Sequence, residues 1–224
     1  MISIIIPCLN ESAHIHATLE CLQAMRKRGH EVIIVDGGST DDSVDLARPL
    51  CDTLLQIPAG RARQMNAGAA IAQGDILWFL HADTLLASCQ DKRLLNTLEQ
   101  TRAIWGRFDI RLSGNRPCLR IIETAMNWRS RWTGIATGDQ GIFLRKTAFQ
   151  KIRGFADIPL MEDIDLSHRL KKSFGPPACL PHKLLASSRR WESHGVIRTV
   201  LLMWKLRLYY ALGADPADLA RLYR

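Results

Sequence analysis

The chain has 224 residues, enough for one domain with a sizeable core, and 47% of them are hydrophobic. Its charge is uneven, because residues 1–101 hold 8 Lys and Arg against 12 Asp and Glu, whereas residues 102–224 hold 22 against 10. No run of 18 apolar residues occurs, which excludes an ordinary membrane-spanning helix, and the six cysteines form no CxxC pair, which disfavours a zinc site.

The first half of the chain alternates short β-branched runs with segments of helical periodicity. In the first such segment, Ile15, Leu19 and Leu22 recur at helical spacing. Strands that alternate with helices predict a mainly parallel sheet with right-handed crossovers. The predicted strands are residues 2–6, 31–35, 53–57 and 75–80, and the predicted helices run from about 10 to 28, 41 to 48 and 61 to 72.

The second half is less regular. Residues 91–102 and 161–174 are predicted as helices, 103–112 as an edge or antiparallel strand, and 141–144 as a short strand. Residues 196–212 predict a long apolar helix in which Arg198 and Lys205 share one face and Arg207 lies opposite. We therefore expect no clean amphipathic stripe on this helix.

Polar residues follow three of the predicted parallel strands. Asn10 and Glu11 come after the first, Asp36 ends the second, and His81 and Asp83 follow the fourth. The carboxyl ends of parallel strands meet along one edge of an open sheet, and ligands bind there. We expect Asp36 to accept hydrogen bonds from a base or a ribose, and Asp83 to hold a divalent cation that in turn holds a diphosphate.

These strand ends also fit a plainer interpretation. Asn10, Ser39, Asp83 and Thr84 belong to the residue types that cap helix N-termini, and we expect Asn10 and Ser39 to cap helices in either case. In favour of a ligand site, Gly37 has no side chain and would let a ligand approach the backbone. Neither GxGxxG nor GxxxxGK[ST] is present, so the dinucleotide-binding and P-loop fingerprints are missing.

Several short motifs follow one another along the chain. They are Pro7-x-x-Asn10-Glu11, Asp36-Gly37-Gly38-Ser39-Thr40-Asp41, Arg61 to Gly68 with Asn66 inside it, His81-Ala82-Asp83, Gly138-Asp139-Gln140-Gly141, Gly154-Phe155 and Met161-Glu162-Asp163-Ile164-Asp165-Leu166. In this order they resemble glycosyltransferase family 2, the inverting enzymes with a GT-A fold. The resemblance covers roughly residues 1–192 and implies an α/β nucleotide-diphospho-sugar transferase fold, a mainly parallel Rossmann-like sheet flanked by helices. It implies a catalytic domain at 1–192, with a nucleotide-binding half at 1–101 and an acceptor half at 102–192, and a C-terminal helical extension at 193–224.

The resemblance implies a nucleotide-sugar site with a metal. A UDP-sugar is the expected donor and a divalent cation, Mn²⁺ or Mg²⁺, the expected cofactor. Asp83 would be the last acid of the family's DxD motif, while His81 stands at its first position and, as a softer ligand, suits manganese better than magnesium. The residues expected to line the site are Pro7, Asn10, Glu11, Asp36, Gly37, Ser39, Arg61, Asn66, His81, Asp83, Asp139, Arg190 and Trp191.

The pair Glu162-Asp163 resembles the family's ED pair, in which the Asp is the general base. We expect Asp163 to project from a helix start into the cleft where Asp83 also points, kept ionised by the helix dipole, with Glu162 orienting the acceptor or the helix. Asp165 would face elsewhere, since residues i and i+2 share no helix face. The alternative, that these acids only complement a helix N-terminus, stays open.

The pair Arg190-Trp191 resembles the end of the QxxRW motif of processive relatives, but Ser187 stands where the Gln would be. This departure argues against a polymer-making role. Two other functions stay open: a sugar nucleotidyltransferase, whose usual Gly-rich loop is missing here, and a non-enzymatic basic module that binds lipid or nucleic acid.

The basic second half also suggests contact with a membrane. Residues 102–131 hold seven Arg against two acids, with Trp105, Trp128 and Trp132 among them, and the helix at 196–212 is too charged to span but could lie at an interface. With unpaired cysteines, we expect a cytoplasmic protein that meets the inner face of the membrane if its acceptor is lipid-linked, and no nucleic-acid partner.

Overall fold

The computed structural model describes residues 1–223, apart from the side chains of Arg190 and His194, and its centre is a seven-stranded sheet. The strands are β1 (Ile2–Cys8), β2 (Glu31–Asp36), β3 (Thr53–Gln56), β4 (Ile76–Phe79), β5 (Trp105–Leu112), β6 (Phe143–Arg145) and β7 (Ala178–Ala186). Their order across the sheet is β3-β2-β1-β4-β6-β5-β7. Strands β1 to β4 run parallel, β6 is antiparallel to both of its neighbours, and β5 pairs in parallel with β7. The predicted α/β class and mainly parallel sheet are confirmed.

Helices cover both faces of the sheet. They are α1 (Ile15–Arg26), α2 (Ser43–Ala47), α3 (Arg61–Ile71), α4 (Gln90–Thr101), α5 (Pro117–Thr133), α6 (Lys146–Lys151), α7 (Glu162–Phe174), α8 (Arg189–His194), α9 (Val196–Ala211) and α10 (Pro216–Tyr223). Strand β1 shows why the molecule has three layers, with helices on either side of the sheet: its side chains alternate between the two faces and pack against both sets of helices. Ile4 and Ile6 pack with α1, α2 and α4, whereas Ile5 packs with α3 and α7.

Helix α3 lies unusually close to the sheet. A Cβ on Gly68 would lie 2.6 Å from Ile5 Cγ2, so only glycine permits this approach. The buried Gln64 side chain donates through Nε2 to the carbonyls of Cys8 and Val35, at 2.9 and 2.7 Å. These contacts fix the N-terminus of α3, and Arg61 with it, at the carboxyl edge of β1 and β2.

The boundaries differ from the sequence expectations in two places near that edge. Pro7 does not end the first strand, because β1 continues to Cys8 and Pro7 pairs with Val35. Helix α1 begins at Ile15 rather than near residue 10, and Asn10 has a left-handed φ of 53°. A residue in that conformation cannot lie inside a right-handed helix, and four residues separate Asn10 from the start of α1.

Strand β7 was not predicted. It contains Pro181, which lacks an amide donor and normally marks an edge strand or a bulge. Both conditions hold here, since β7 is the last strand of the sheet and its pairing with β5 shifts register between Phe108 and Asp109, so that Pro181 and His182 fall in the shift.

Helices α9 and α10 pack on the rest of the molecule. Leu206 and Leu219 share an apolar cluster with Ile135, Met161 and Ile164. The division at residue 192 stays a prediction. Within residues 1–223, none of the helices is long and apolar enough to cross a bilayer.

Candidate functional site

Two loops at the carboxyl edge of the sheet are tied together by hydrogen bonds. The Asn10 amide donates to the Ser39 hydroxyl over 2.8 Å, and the Thr40 amide donates to Asn10 Oδ1 over 2.9 Å. The Ser39 hydroxyl in turn donates to Asp36. The expectation that Asn10 and Ser39 cap helices is wrong, because their polar atoms hold the β1–α1 loop against the β2–α2 loop.

Asp36 lies at the predicted edge but is buried beneath its own loop. Its Oδ2 atom accepts the amides of Gly38 and Ser39 at 3.0 and 3.1 Å. Gly37 is equally enclosed, since a Cβ there would lie 3.2 Å from Gln64 Nε2. In this arrangement both residues shape the loop, and their contact with a nucleotide stays a prediction.

Glu11 and Asp83 bring two carboxylates to the ends of β1 and β4. Burial raises the pKa of Glu11, the nearby Arg189 opposes the rise, and the negative charge of Asp83 adds to it. Arg189 Nη2 lies 3.4 Å from Glu11 Oε1, while the buried Oε2 atom has no hydrogen-bond partner among the described residues. The pair therefore carries negative charge that the protein leaves partly uncompensated. Asp83 caps no helix, because the next one, α4, begins at Gln90.

A hard divalent cation fits these two carboxylates. Carboxylate oxygens are ligands that Mg²⁺ and Mn²⁺ accept, and Mg²⁺ is commonly held by one or two carboxylates plus substrate phosphates and water. Within residues 1–223, no group of three or more His, Cys, Asp or Glu side chains could hold an ion unaided. Asp83 and Glu11 would thus need ligands from a bound diphosphate.

The environment of His81 bears on the metal role expected of it. Its Nε2 atom faces the Arg61 guanidinium. Burial, with Arg61 adding to the effect, holds the pKa of His81 well below its usual value, so the imidazole is neutral and can accept a hydrogen bond there. One ring nitrogen is therefore engaged by a cation, and a metal role for His81 stays a prediction.

A second group of acids lies where α7 begins, in contact with Arg61. Asp163 Oδ2 accepts the Gly138 amide at 2.7 Å, and its Oδ1 accepts the Ile164 amide at 2.7 Å. Arg61 Nε lies 3.5 Å from Glu162 Oε1. Arg61, His81, Gly138, Glu162 and Asp163 line a cavity of about 10 Å³, which has room for about one water.

Burial dominates the electrostatics of this second group. It raises the pKa of Glu162, and the charge of Asp163 adds to the rise, while Arg61 opposes it. It also raises the pKa of Asp139, whose Oδ1 atom is buried with no hydrogen-bond partner among the described residues. Asp165, as expected, faces elsewhere and pairs with Arg169.

Sequence reasoning missed Arg129, which α5 delivers to these acids. The charges of Asp139 and Asp163 raise its pKa, although burial lowers the value overall, and its Nη2 atom is buried with no hydrogen-bond partner among the described residues. The signal was its helical spacing from Ile122, seven residues earlier on the inner face of α5. The nearby Trp128 and Trp132 instead suggested that this part of the chain forms an exposed patch.

Two other expected site residues, Asn66 and Trp191, make contacts away from these acids. Asn66 uses both ends of its amide to hold the backbone of Phe155, at 2.9 Å each way. Trp191 is partly buried in an apolar cluster with Ile110 and Leu119. The side chain of Arg190 lies outside the described residues.

The described site therefore has two parts along one edge of the sheet. Glu11 and Asp83 form the first, and Asp139, Glu162 and Asp163 form the second. Arg61 and His81 lie in contact with the second part, and the small cavity that Asp163 lines does not include Asp83. The expectation that both carboxylates project into one cleft stays a prediction.

Comparisons with known proteins identify a family. The model described as glycosyl transferase family 2 matches residues 3–153. A PGL/p-HBAD biosynthesis glycosyltransferase of Mycobacterium tuberculosis strain H37Ra is 30% identical over 159 residues, which cover 68% of this chain and 58% of that protein. The chain thus spans less than two thirds of the length of this curated relative.

Solved structures share the fold. Staphylococcus aureus TarS 1–349 in complex with UDP-GlcNAc has a TM-score of 0.69 at 17% identity, over 83% of this chain and 58% of that one. The mannosyltransferase PcManGT of Pyrobaculum calidifontis, in complex with GDP-Man and Mn²⁺, has a TM-score of 0.66 at 19% identity, over 99% of this chain and 68% of that one. At these identities the likeness establishes the GT-A fold alone.

Proposed function

Since this chain belongs to glycosyl transferase family 2, we propose that it transfers a sugar from a nucleotide diphosphate to an acceptor, with inversion at the anomeric carbon. The observation that carries the proposal is the two-part arrangement of acids at the carboxyl edge of the sheet. One part, Glu11 and Asp83, suits a cation and a diphosphate. The other part, at Asp163, suits the removal of a proton.

Asp163 is the proposed general base. Each of its carboxylate oxygens accepts one backbone amide, which leaves a second lone pair on each oxygen for a proton. Asp163 takes the proton of the acceptor hydroxyl as the acceptor oxygen bonds to the anomeric carbon. The bond from that carbon to the diphosphate oxygen breaks, and its electron pair leaves with the nucleotide diphosphate. Base catalysis of this kind contributes about 10²- to 10⁴-fold.

The donor side rests on Asp83, Glu11 and Arg61. A divalent cation bound at Asp83, with Glu11 beside it, would neutralise charge on the departing diphosphate. The Mn²⁺ in the PcManGT complex supports this cofactor, and the UDP-GlcNAc in the TarS complex supports a UDP-sugar donor. The GDP-Man in the former makes a guanosine donor the alternative. Family membership favours sugar transfer over the nucleotidyltransferase and the non-enzymatic binding module.

The acceptor is proposed to be lipid-linked and met at the cytoplasmic face of a membrane. All six cysteines are free in the structure, which agrees with a reducing compartment. The acceptor side of the site is bordered by α9, because its Leu206 packs against Met161 and Ile164, the residues that flank the Glu162-Asp163 pair.

Calorimetry with UDP and with GDP, each with and without Mn²⁺, tests the donor site. We expect binding that needs Mn²⁺, and we expect Asp83→Asn to weaken it by at least about tenfold, a loss seen even for residues that only support metal ligands. Asp45→Asn, an exposed acid on α2, is the matched control and should leave binding unchanged. Equal affinities for Asp83→Asn and the wild type would place the diphosphate elsewhere.

A further inference from the structure

Helix α9 exposes a continuous apolar stripe. Its members are 58–76% exposed and fall within about 80° of the helix circumference, at about 100° per residue. We call them the α9 stripe: Ile197, Leu201, Trp204, Leu208 and Leu212. Isolated surface apolar residues need no explanation, but a contiguous row of large ones marks an interaction site.

The inner face of α9 already accounts for its packing. Thr199 and Leu206 are buried, and Leu202 and Met203 pack against the cluster that contains Ile135. The α9 stripe points away from this cluster and contributes nothing to the core. The fold therefore gives no reason for its apolar character.

Cations flank the α9 stripe on both sides. Arg198 and Lys205 lie along one edge and Arg207 lies beyond the other, and residues 196–211 contain no acid. The helix is apolar on both its inner and its outer face, so the expectation of no clean amphipathic stripe is confirmed, and the cations border the exposed apolar surface rather than interrupt it. Long basic side chains in this position can lie along apolar surface and keep their charge in a polar layer.

A second exposed stripe lies on the neighbouring helix. Ile121, Trp128 and Trp132 of α5 are 69–86% exposed and recur at helical spacing. The two helices are neighbours, because Val196 and Val200 of α9 pack against the cluster formed by the inner residues of α5. Of the thirteen large apolar residues exposed among the described residues, eight lie on these two stripes, whereas exposed apolar residues on an ordinary surface are scattered singly.

Three of the seven arginines of residues 102–131 are already engaged within the protein. Arg131 pairs with Asp109, Arg107 is buried against the same acid, and Arg120 bonds the Leu112 carbonyl. Trp105, expected at the same patch, is buried in the core. The cations that border the α9 stripe are those of α9 itself.

We propose that the α9 stripe docks this protein on the surface of an anionic phospholipid bilayer, with α9 lying in the plane of the interface. Apolar residues enter the boundary of the acyl chains, Trp204 lies at headgroup level, and the three cations meet lipid phosphates. Charge complementarity selects this occupant over a second copy of the chain. An α9–α9 contact across a two-fold axis would bring cations together with no acid on either helix to pair with them.

Co-sedimentation of the full chain with vesicles tests the proposal. Vesicles of phosphatidylcholine and phosphatidylglycerol in equal parts should pellet the protein at low salt, and vesicles of phosphatidylcholine alone should pellet far less. The variant Leu201→Ser/Trp204→Ser/Leu208→Ser should weaken binding by about tenfold or more, because it removes three inserted side chains. Its exposed positions should leave the melting temperature near that of the wild type.

A charge-matched pair of variants separates the surface from net charge. Arg198→Gln/Lys205→Gln/Arg207→Gln should lower binding to the anionic vesicles by about tenfold or more. Lys27→Gln/Arg48→Gln/Lys172→Gln removes three exposed cations elsewhere and should retain most of the binding. Equal losses in the two triple variants, or no pelleting at low salt, would overturn the proposal. A further result would also overturn the proposal: neither the wild type nor the serine variant binds vesicles, and sedimentation velocity detects a dimer of the wild type but not of the serine variant.

Discussion

Asp163→Asn is the most direct test of the proposed chemistry. The replacement has nearly the same shape but cannot take up a proton at neutral pH. If Asp163 is the base, kcat should fall by about 10²- to 10⁴-fold, while donor affinity stays near that of the wild type. The expected loss is thus confined to turnover.

The structure also sets the stability cost of this variant. The carboxylate accepts two backbone amides, from Gly138 and from Ile164, with one oxygen each. The side chain of asparagine has only one acceptor oxygen, so one of these two hydrogen bonds must be lost. The NH₂ group of the asparagine would then face the backbone N–H that had donated to the second oxygen. Loss of a partner for a partly buried donor costs about 1–3 kcal/mol. We therefore expect Asp163→Asn to unfold at lower urea concentration but to be folded at the assay temperature.

The assay compares turnover with binding in the same preparation. Release of the nucleotide diphosphate reports turnover, and calorimetry reports donor affinity. Asp165→Asn is the matched control, since Asp165 lies on the same helix, pairs with Arg169 and faces away from the cavity. It should retain most of the activity. An Asp163→Asn enzyme with kcat within about tenfold of the wild type would refute the assignment, and Asp139 would be the next candidate base.

Two further predictions concern the charges around Asp163. Arg129→Met removes the buried cation whose charge acts on Asp139 and Asp163, so kcat/KM should fall, with Arg129→Lys restoring it in part; a kcat/KM equal to that of the wild type would mean that Arg129 has no part in the site. Glu162 has a raised pKa through burial, so its contribution to stability is present below its ordinary value of 4.5 and is lost as pH rises through the folded-state pKa. Glu162→Gln should therefore lessen the decline in melting temperature as pH rises above 4.5, which calorimetric scans at several pH values would measure, and a decline as steep as that of the wild type would contradict it.

The first half of the fold was predictable because its signals are local. Strands such as β1 and β2 are continuous β-branched runs that can only be buried on both faces. Strand β7 was missed because Pro181 breaks that pattern, and only the register shift with β5 accommodates it. The sequence shows the proline, but it does not show that the strand pairs with β5 through a register shift that tolerates it.

The site was predictable in position but not in contacts. Strand ends located Asp36, Asp83 and the loops correctly, since topology alone brings them to one edge. Asn10 bonds Ser39 and Thr40, which lie about thirty residues away in sequence. The residue types that cap helices can form hydrogen bonds with a distant loop just as well. The contacts of Asn66 and Arg129 could not be predicted for the same reason, because their partners lie far away in sequence and come close only in the folded chain.

The histidine at the first position of the acid motif has a physical reason in the charge balance of the site. His81 is neutral and lies against Arg61, and a Cβ on Gly138 would come within 2.6 Å of His81 Nε2, so the glycine makes room for this contact. A carboxylate at position 81 would neutralise Arg61. The neutral ring leaves the guanidinium charge free to act on Glu162. If a cation binds at Asp83 as proposed, Arg61 would offset the missing carboxylate of the motif, because two positive charges would then act on the departing diphosphate.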